Sequence, residues 1–293
     1  MKIAALGDIH GNYQALITVL DHIDRWHPDL VLVLGDIINR GPRSRECLHL
    51  IQDRGKSPSW HIIKGNHEGY VLNMENPALP QSGMAFELRR VINFTYDSLS
   101  SQDIQTVKDM PVQICIETAE DQLIKASHAS TAGDRIGIYP DTPESDLPGL
   151  IDKDANLFLV GHTHQPFIRK WEKTTVVNTG SVGLPFDGDI RASYAQLTYQ
   201  NHTWQSEIVR VDYNHQAAED DFYSSGFIPE GGALSNLVLA ELQLGWPQLS
   251  KWFRRYETAV LAGEISPEKA VSEFLLNPNI EYINPDFSSK FPE

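Results

Sequence analysis

The sequence predicts an α/β fold with one sizeable core and a helical C-terminal extension. Three observations carry this reading. Short runs rich in branched apolar residues, of the length that forms buried strands, recur at Lys2–Leu6, 30–34, 60–64 and 156–160. Each ends in a glycine: Gly7, Gly35, Gly65 and Gly161. Helical spacing fills the gaps between the first three runs, and after Asp212 the chain turns to an acidic stretch followed by helical patterns.

Taken in order, the first strand leads through Gly7-Asp8-Ile9-His10-Gly11-Asn12 into a helix over Tyr13–Trp26. Asn12 suits its N-cap, and Leu16, Ile17, Leu20 and Ile23 form its apolar stripe. His22 and His27 fall on its polar edge and end and read as solvated. The second strand ends in Gly35-Asp36, and Pro42 suits the first turn of a helix over 43–53. The third ends in Gly65-Asn66-His67-Glu68. Residues 70–110 leave this rhythm and read as a helical insertion, with helices at 84–96 and 101–108; it either walls the site or simply packs. Residues 111–117 and 122–127 read as paired strands, the second ending in Ser127-His128. Residues 131–154, rich in Gly, Pro and Asp, read as a long surface loop. The strand at 156–160 runs into Gly161-His162-Thr163-His164. Residues 176–183 form a strand and a Gly-rich loop, either a site wall or a tight turn. Alternation at 193–197 and 203–211 predicts antiparallel strands completing a second sheet. Residues 217–232 look acidic and loop-like, and helices follow at 234–244, 247–262 and from Ser266-Pro267 onward. The chain thus divides into 1–212 and an extension, 213–293, that packs on the core or on a partner subunit as a homo-oligomer contact. No chemical motif is evident in the extension.

With 293 residues, 41% hydrophobic and 22% charged, the chain has an ordinary globular composition. No apolar run approaches the ~20 residues of a membrane helix. The N-terminus enters a strand directly, without a signal-peptide pattern, so a cytoplasmic location is expected. Cys47 and Cys115, the two cysteines, read as buried free thiols. A formal net charge of −15 argues against an extended nucleic-acid or anionic-membrane surface. It leaves room for a small phosphorylated substrate, because bound divalent cations would invert the local field.

The residues at the strand ends carry the chemistry. Asp36 can offer one oxygen to each of two cations, and Arg40 can meet an anion with a planar fork. Asp8 and His10 alternate across Ile9, so in an extended segment both point to one side; His162 and His164 repeat that spacing. Asn66 can ligate through its amide oxygen, and His67 can give a proton or a hydrogen bond to a phosphate oxygen. With His128, these oxygen and imidazole donors suit Mn, Fe, Co, Ni or Zn better than Mg alone.

The motifs at Gly7–Asn12, Gly35-Asp36, Gly65–Glu68, Ser127–Ala129 and 161–164 stand in the order of the five motifs of the calcineurin-like metallophosphoesterases, which the chain resembles over about residues 1–197. The resemblance implies a four-layered α-β-β-α sandwich of two mixed sheets with two divalent transition-metal ions at one edge. Carried over position by position, Asp8, His10, Asp36 and His164 hold one ion, and Asp36, Asn66, His128 and His162 hold the other, with Asp36 bridging. Arg40 and His67 then stabilise charge while water activated by the ions attacks phosphorus. Residues 35–45, with Asn-Arg-Gly-Pro, are similar to bacterial phosphoprotein phosphatases and dinucleoside tetraphosphatases. Asn178–Gly183 and the Leu-Pro-Phe-Asp-Gly-Asp after it are similar instead to small bacterial phosphodiesterases. The expected activity is hydrolysis of a phosphodiester or dinucleotide pyrophosphate in a small, nucleotide-like substrate. The alternatives are a serine/threonine phosphoprotein phosphatase and a non-catalytic scaffold. Many phosphoprotein phosphatases have Asp where this chain has Asn39, which here is expected to orient His67 through its amide oxygen.

Overall fold

A computed structural model describes residues 1–276, so the last part of the expected extension, 277–293, lies outside the described residues. Among the described residues, ten strands form two mixed five-stranded sheets. The first contains β1 (Lys2–Leu6), β2 (Leu30–Val33) and β3 (Trp60–Ile62) in parallel, with the antiparallel pair β9 (Ala192–Gln200) and β10 (Thr203–Val211) on the far side of β1. The second contains β5 (Leu123–Ser127), β6 (Leu157–Val160) and β8 (Thr174–Asn178) in parallel, edged by β4 (Gln113–Glu117) and β7 (Phe167–Trp171). The hairpin β9–β10 therefore joins the first sheet, not the second as expected. Alternation identifies a strand, but the choice of neighbour is made by distant pairing, here Ile3 with Leu197.

The period-two rule places the core. Ile3, Ala5 and Leu32 face the second sheet and meet Ile124, Leu157, Leu159 and Val177. Their neighbours Ala4, Leu6, Val31 and Val33 face outward onto Leu16, Val19, Leu20 and Ile23 of α1 (Tyr13–Trp26) and Leu48 and Ile51 of α2 (Ser44–Arg54). Ile17, expected in that stripe, is 37% exposed, whereas Ala15 and Val19 are buried. His22 is not simply solvated, because its Nδ1 lies 2.7 Å from the Tyr194 hydroxyl. On the outer face of the second sheet, Phe158, Val160 and Val176 pack on Ile138, Leu147 and Ile151. That layer is the expected long loop, with one 3₁₀ turn at Leu147–Gly149. Cys115 faces solvent on the edge strand β4, contrary to expectation, whereas Cys47 is buried.

The insertion folds as α3 (Asn66–Leu72), α4 (Met84–Glu87), α5 (Arg90–Ser98) and α6 (Ser101–Asp109). The expected 84–96 helix is broken between Glu87 and Arg90. The extension contributes α7 (His215–Ser224), α8 (Phe227–Glu230), α9 (Ser235–Leu244), α10 (Leu249–Leu261) and α11 (Pro267–Leu275). Thus 217–232 is mostly helical. Asn214 caps α7 through Ala217 N–H, and Ala218 and Phe222, four residues apart, bury a face that the surrounding acidic residues conceal. Phe222, Phe227, Leu237, Trp252, Tyr256 and Phe274 form a shared core with Leu88 and Val91 of the insertion and with Leu184 and Phe186. Among the described residues no helix is long and apolar enough to cross a membrane.

Trp252 is fully buried in that core. Trp252→Ala should lower stability by about 3–5 kcal/mol, read as a fall in the urea midpoint; an unmoved midpoint would show that α10 is not part of the folded core.

Candidate metal centre

Every expected ligand stands just past the carboxyl end of a parallel strand. Asp8 and His10 follow β1, Asp36 follows β2, Asn66 and His67 follow β3, His128 follows β5, and His162 and His164 follow β6. The two sheets bring these ends together. Asp8, His10, Asp36 and His164 offer ligand atoms within 4.8 Å of one another, all on buried residues. Beside them, the Asn66 Oδ1 lies 2.9 Å from His128 Nε2 and 3.0 Å from His162 Nδ1, and His128 Nε2 lies 3.3 Å from Asp36 Oδ2.

Convergence does not come from extended alternation, as the sequence suggested. Asp8, His10, Asp36, His162 and His164 all have left-handed backbones, with φ between 49° and 67°. The chain coils tightly after β1, β2 and β6 and throws successive candidate ligands inward. Asp and His tolerate this region better than most side chains, at roughly 1–3 kcal/mol each. The packing also requires glycine at two places, since a Cβ on Gly65 would collide with Asp36 Oδ1 and one on Gly161 with Asp8 Oδ2.

The donor chemistry fits cations. One oxygen of each carboxylate is tied to backbone: Asp36 Oδ1 accepts the His67 N–H at 2.8 Å, and Asp8 Oδ2 accepts the His162 N–H at 2.9 Å. The other oxygens, Asp8 Oδ1 and Asp36 Oδ2, are buried without a hydrogen-bond partner. Such atoms are costly unless something positive meets them. His10 and His164 turn their Nε2 atoms toward each other at 3.1 Å. Backbone carbonyls fix the other nitrogens of two ligands, with Nδ1 of His128 donating to Leu34 and Nδ1 of His164 to Leu184. Phe186 stacks on the His164 ring with centroids 4.3 Å apart.

The electrostatics agree. Burial, reinforced by neighbouring His67, holds His10 well below its ordinary value, and burial with His128 brings His162 down to about 3. Both are therefore neutral donors at physiological pH. Burial opposes the charge on His128, yet Asp36 pushes it up to about 10; burial likewise opposes the Asp36 charge, but His128 and His67 hold it well below the carboxylate range. The pocket demands positive charge beside Asp36.

The 176–183 loop proves to be a brace. Ser181 Oγ donates to the Asp8 carbonyl at 2.6 Å, and Asn178 Nδ2 donates to the Gly161 carbonyl at 2.8 Å. Glu68 has no separate expected role, yet its buried carboxylate accepts N–H groups from Asp36, Ile37, Ile38 and Gly65 at 2.7–3.2 Å. Burial and the Asp36 charge push Glu68 up to about 7, against those amide donors. Its signal was positional, a carboxylate three residues after Gly65 at a helix start.

Asn39 and Arg40 also differ from expectation. The Asn39 oxygen is taken by the Arg40 N–H at 2.8 Å, so its amide nitrogen, not its oxygen, faces His67 Nδ1 at 2.9 Å. Arg40 Nε faces the other ring nitrogen at 3.4 Å, and Arg40 Nη1 donates to Glu241 Oε2 at 2.7 Å. Glu241 lies on α9, so the extension does carry a polar group into the site. It is the one charged residue in α9, an apolar buried helix, and an isolated buried charge signals a partner. Glu68→Gln should leave two buried N–H groups facing an amide NH₂ and cost about 2 kcal/mol or more, read by urea unfolding, with metal per chain falling in parallel.

A family model described as calcineurin-like phosphoesterase matches residues 1–166. The serine/threonine-protein phosphatase 2 of Escherichia coli K12 is 27% identical over 199 residues, 61% of this chain and 87% of that protein. A symmetrical bis(5'-nucleosyl)-tetraphosphatase of Methylococcus capsulatus is 42% identical over 74 residues, 25% of this chain and 26% of that enzyme. The crystal structure of a metallophosphoesterase from Sphaerobacter thermophilus superposes with a TM-score of 0.65 at 25% identity, covering 84% of this chain and all of that one. With its fold of two mixed five-stranded sheets, its buried Asp/His cluster and a family match over more than half its length, the chain belongs to the calcineurin-like phosphoesterases, hydrolases of phosphoric esters.

Proposed function

We propose that this protein hydrolyses phosphodiester or dinucleotide pyrophosphate bonds in small, nucleotide-like substrates, using two divalent cations. The observation that carries the substrate reading is the contact between Asn39 and His67. Asn39 Nδ2 lies 2.9 Å from His67 Nδ1 and Arg40 Nε 3.4 Å from His67 Nε2, and among the described residues no carboxylate is hydrogen-bonded to the ring. Burial keeps the ring well below its ordinary value against the opposing charge of Asp36, and Arg40 adds to the lowering. His67 is then a neutral imidazole and a poor proton donor. Leaving groups that depart as stable anions, such as a nucleotide phosphate, need little protonation, whereas a serine alkoxide needs a full proton.

Asp8, His10, Asp36 and His164 are the side chains that would hold one cation, and Asp36, Asn66, His128 and His162 the other. Asp36 Oδ2 suits the bridge, lying 3.6 Å from His10 Nε2 and 3.3 Å from His128 Nε2. When bound, two ions of Mn, Fe, Co, Ni or Zn supply Lewis acidity to water and phosphoryl oxygens. Arg40 orients the phosphate by charge-assisted hydrogen bonds from its remaining N–H groups. His67 shapes the leaving-group side without supplying charge. Asp36 is fixed by the His67 N–H and needs no reorganisation when substrate enters. The tetraphosphatase relative, whose match covers a quarter of each chain, supports the nucleotide class. A second reading, a phosphoprotein monoester, draws on the longer match to the serine/threonine phosphatase. A scaffold role fits poorly, because every ligand position is filled.

The reading is tested by stripping metal, reloading with Mn²⁺ and comparing bis(p-nitrophenyl) phosphate, a dinucleoside tetraphosphate and a phosphoserine peptide. A higher kcat/KM on the peptide than on the other two would replace it with the monoester reading. Asp36→Asn should lower metal content by about one ion per chain and activity by ~10²-fold or more, measured by elemental analysis beside the assay. Asn39→Asp puts a carboxylate on His67 and favours imidazolium. The alkaline limb of the kcat profile should therefore move to higher pH, and monoester hydrolysis should gain relative to diester hydrolysis. A profile and ratio that both stay put, at unchanged metal content, would remove the physical basis for the diester preference.

A further inference from the structure

The contact between Arg40 and Glu241 joins residues 201 positions apart, one at the catalytic edge and one in the extension. The Glu241 side chain is fully buried, and that of Arg40 is 15% exposed. Both oxygens of the carboxylate are engaged. Oε1 accepts the N–H groups of Gln248 and Leu249, each at 2.9 Å, at the start of α10. Oε2 accepts Arg40 Nη1 at 2.7 Å. The carboxylate is therefore fixed by backbone before it meets Arg40.

Arg40 is constrained at its other end as well. Its backbone and that of Asn39 are left-handed, at φ 69° and 72°. Its guanidinium carbon lies 5.8 Å from the centre of the Phe186 ring, which in turn stacks on His164. A free arginine side chain loses about 2 kcal/mol of rotamer freedom when it is ordered. An arginine already held does not meet that cost when substrate arrives.

We propose that Glu241 is a positioning residue for Arg40, holding Nη1 so that the rest of the fork stays set for the substrate phosphate. The proposal rests on the reading that Arg40 contacts that phosphate. Two amide donors are enough for a carboxylate that only caps α10; the second oxygen is committed to the catalytic edge. The extension thereby becomes part of the phosphate site without touching the substrate. Removing the carboxylate leaves Arg40 charged, because a guanidinium does not deprotonate, but free to turn toward solvent.

The test compares four Mn²⁺-loaded full-length proteins: wild type, Glu241→Gln, Arg40→Ala and the double variant. Gln keeps the shape, and its oxygen still accepts from Gln248 and Leu249, while its NH₂ faces the Arg40 donor and displaces it. On bis(p-nitrophenyl) phosphate, Glu241→Gln should lower kcat/KM by about 10- to 100-fold, and Arg40→Ala by at least as much. The double variant should match Arg40→Ala within about twofold, because Glu241 acts only through Arg40. Glu241→Gln should also raise the inhibition constant of inorganic phosphate by about fivefold or more. A purely structural defect would reduce the active fraction and leave that constant where it was. Unchanged kcat/KM in Glu241→Gln, losses that multiply in the double variant, or an unmoved phosphate constant would each overturn the positioning role. An Arg40→Ala protein with wild-type kcat/KM would instead overturn the phosphate contact itself, and the role of Glu241 with it.

Discussion

The four backbone N–H groups gathered by Glu68 are the interaction on which the metal-binding edge depends. They come from two strand ends, Gly65 after β3 and Asp36, Ile37 and Ile38 after β2. Without an acceptor, each would be a buried donor facing no partner, at roughly 1–3 kcal/mol apiece. With it, the Asp36 loop can stay coiled in a left-handed turn and keep Oδ2 turned toward the His10 and His128 rings. The pattern recurs at Asp8, whose carbonyl is held by Ser181 and by the Gly183 N–H. Backbone satisfaction around the ligands permits polar dissatisfaction at their tips, and that dissatisfaction is what a cation relieves.

Which residues would face the site could be read from the sequence, because Asp, Asn and His beside glycines at strand ends have few other reasons to be there. How they face it could not. Left-handed coiling at Asp8 and His10 leaves no periodic trace and looks like ordinary alternation. Nor could alternation place β9 and β10, whose sheet is chosen by pairing with residues almost two hundred positions away. The helix α7 was hidden by charge, since Glu219, Asp220 and Asp221 mask the spacing of Ala218 and Phe222. Asp221 also reaches Arg43 and Gln14 near the start of the fold, a contact with no local signature.

The extension illustrates how an appended layer becomes inseparable from a core. Its apolar cluster includes Leu184 and Phe186, which come from the loop that also supplies the carbonyl fixing His164. Its polar contact reaches Arg40. Side-chain packing and site geometry thus pass through the same short segment, so a change in either is felt by the other.

The candidate ligands are divided between the two sheets, Asp8, His10, Asp36 and Asn66 from the first and His128, His162 and His164 from the second. On a ribosome, the first group emerges well before the second. At roughly 5–20 residues per second, the 98 residues between Asn66 and His164 take about 5–20 s to synthesise. Until His128 emerges, the nascent chain offers from this set two carboxylates, the His10 imidazole and the Asn66 amide, but no closed cage. Such an open set would hold a cation only weakly, and tight binding would need the second sheet. A cation bound by this set would therefore be selected only once both sheets are in place.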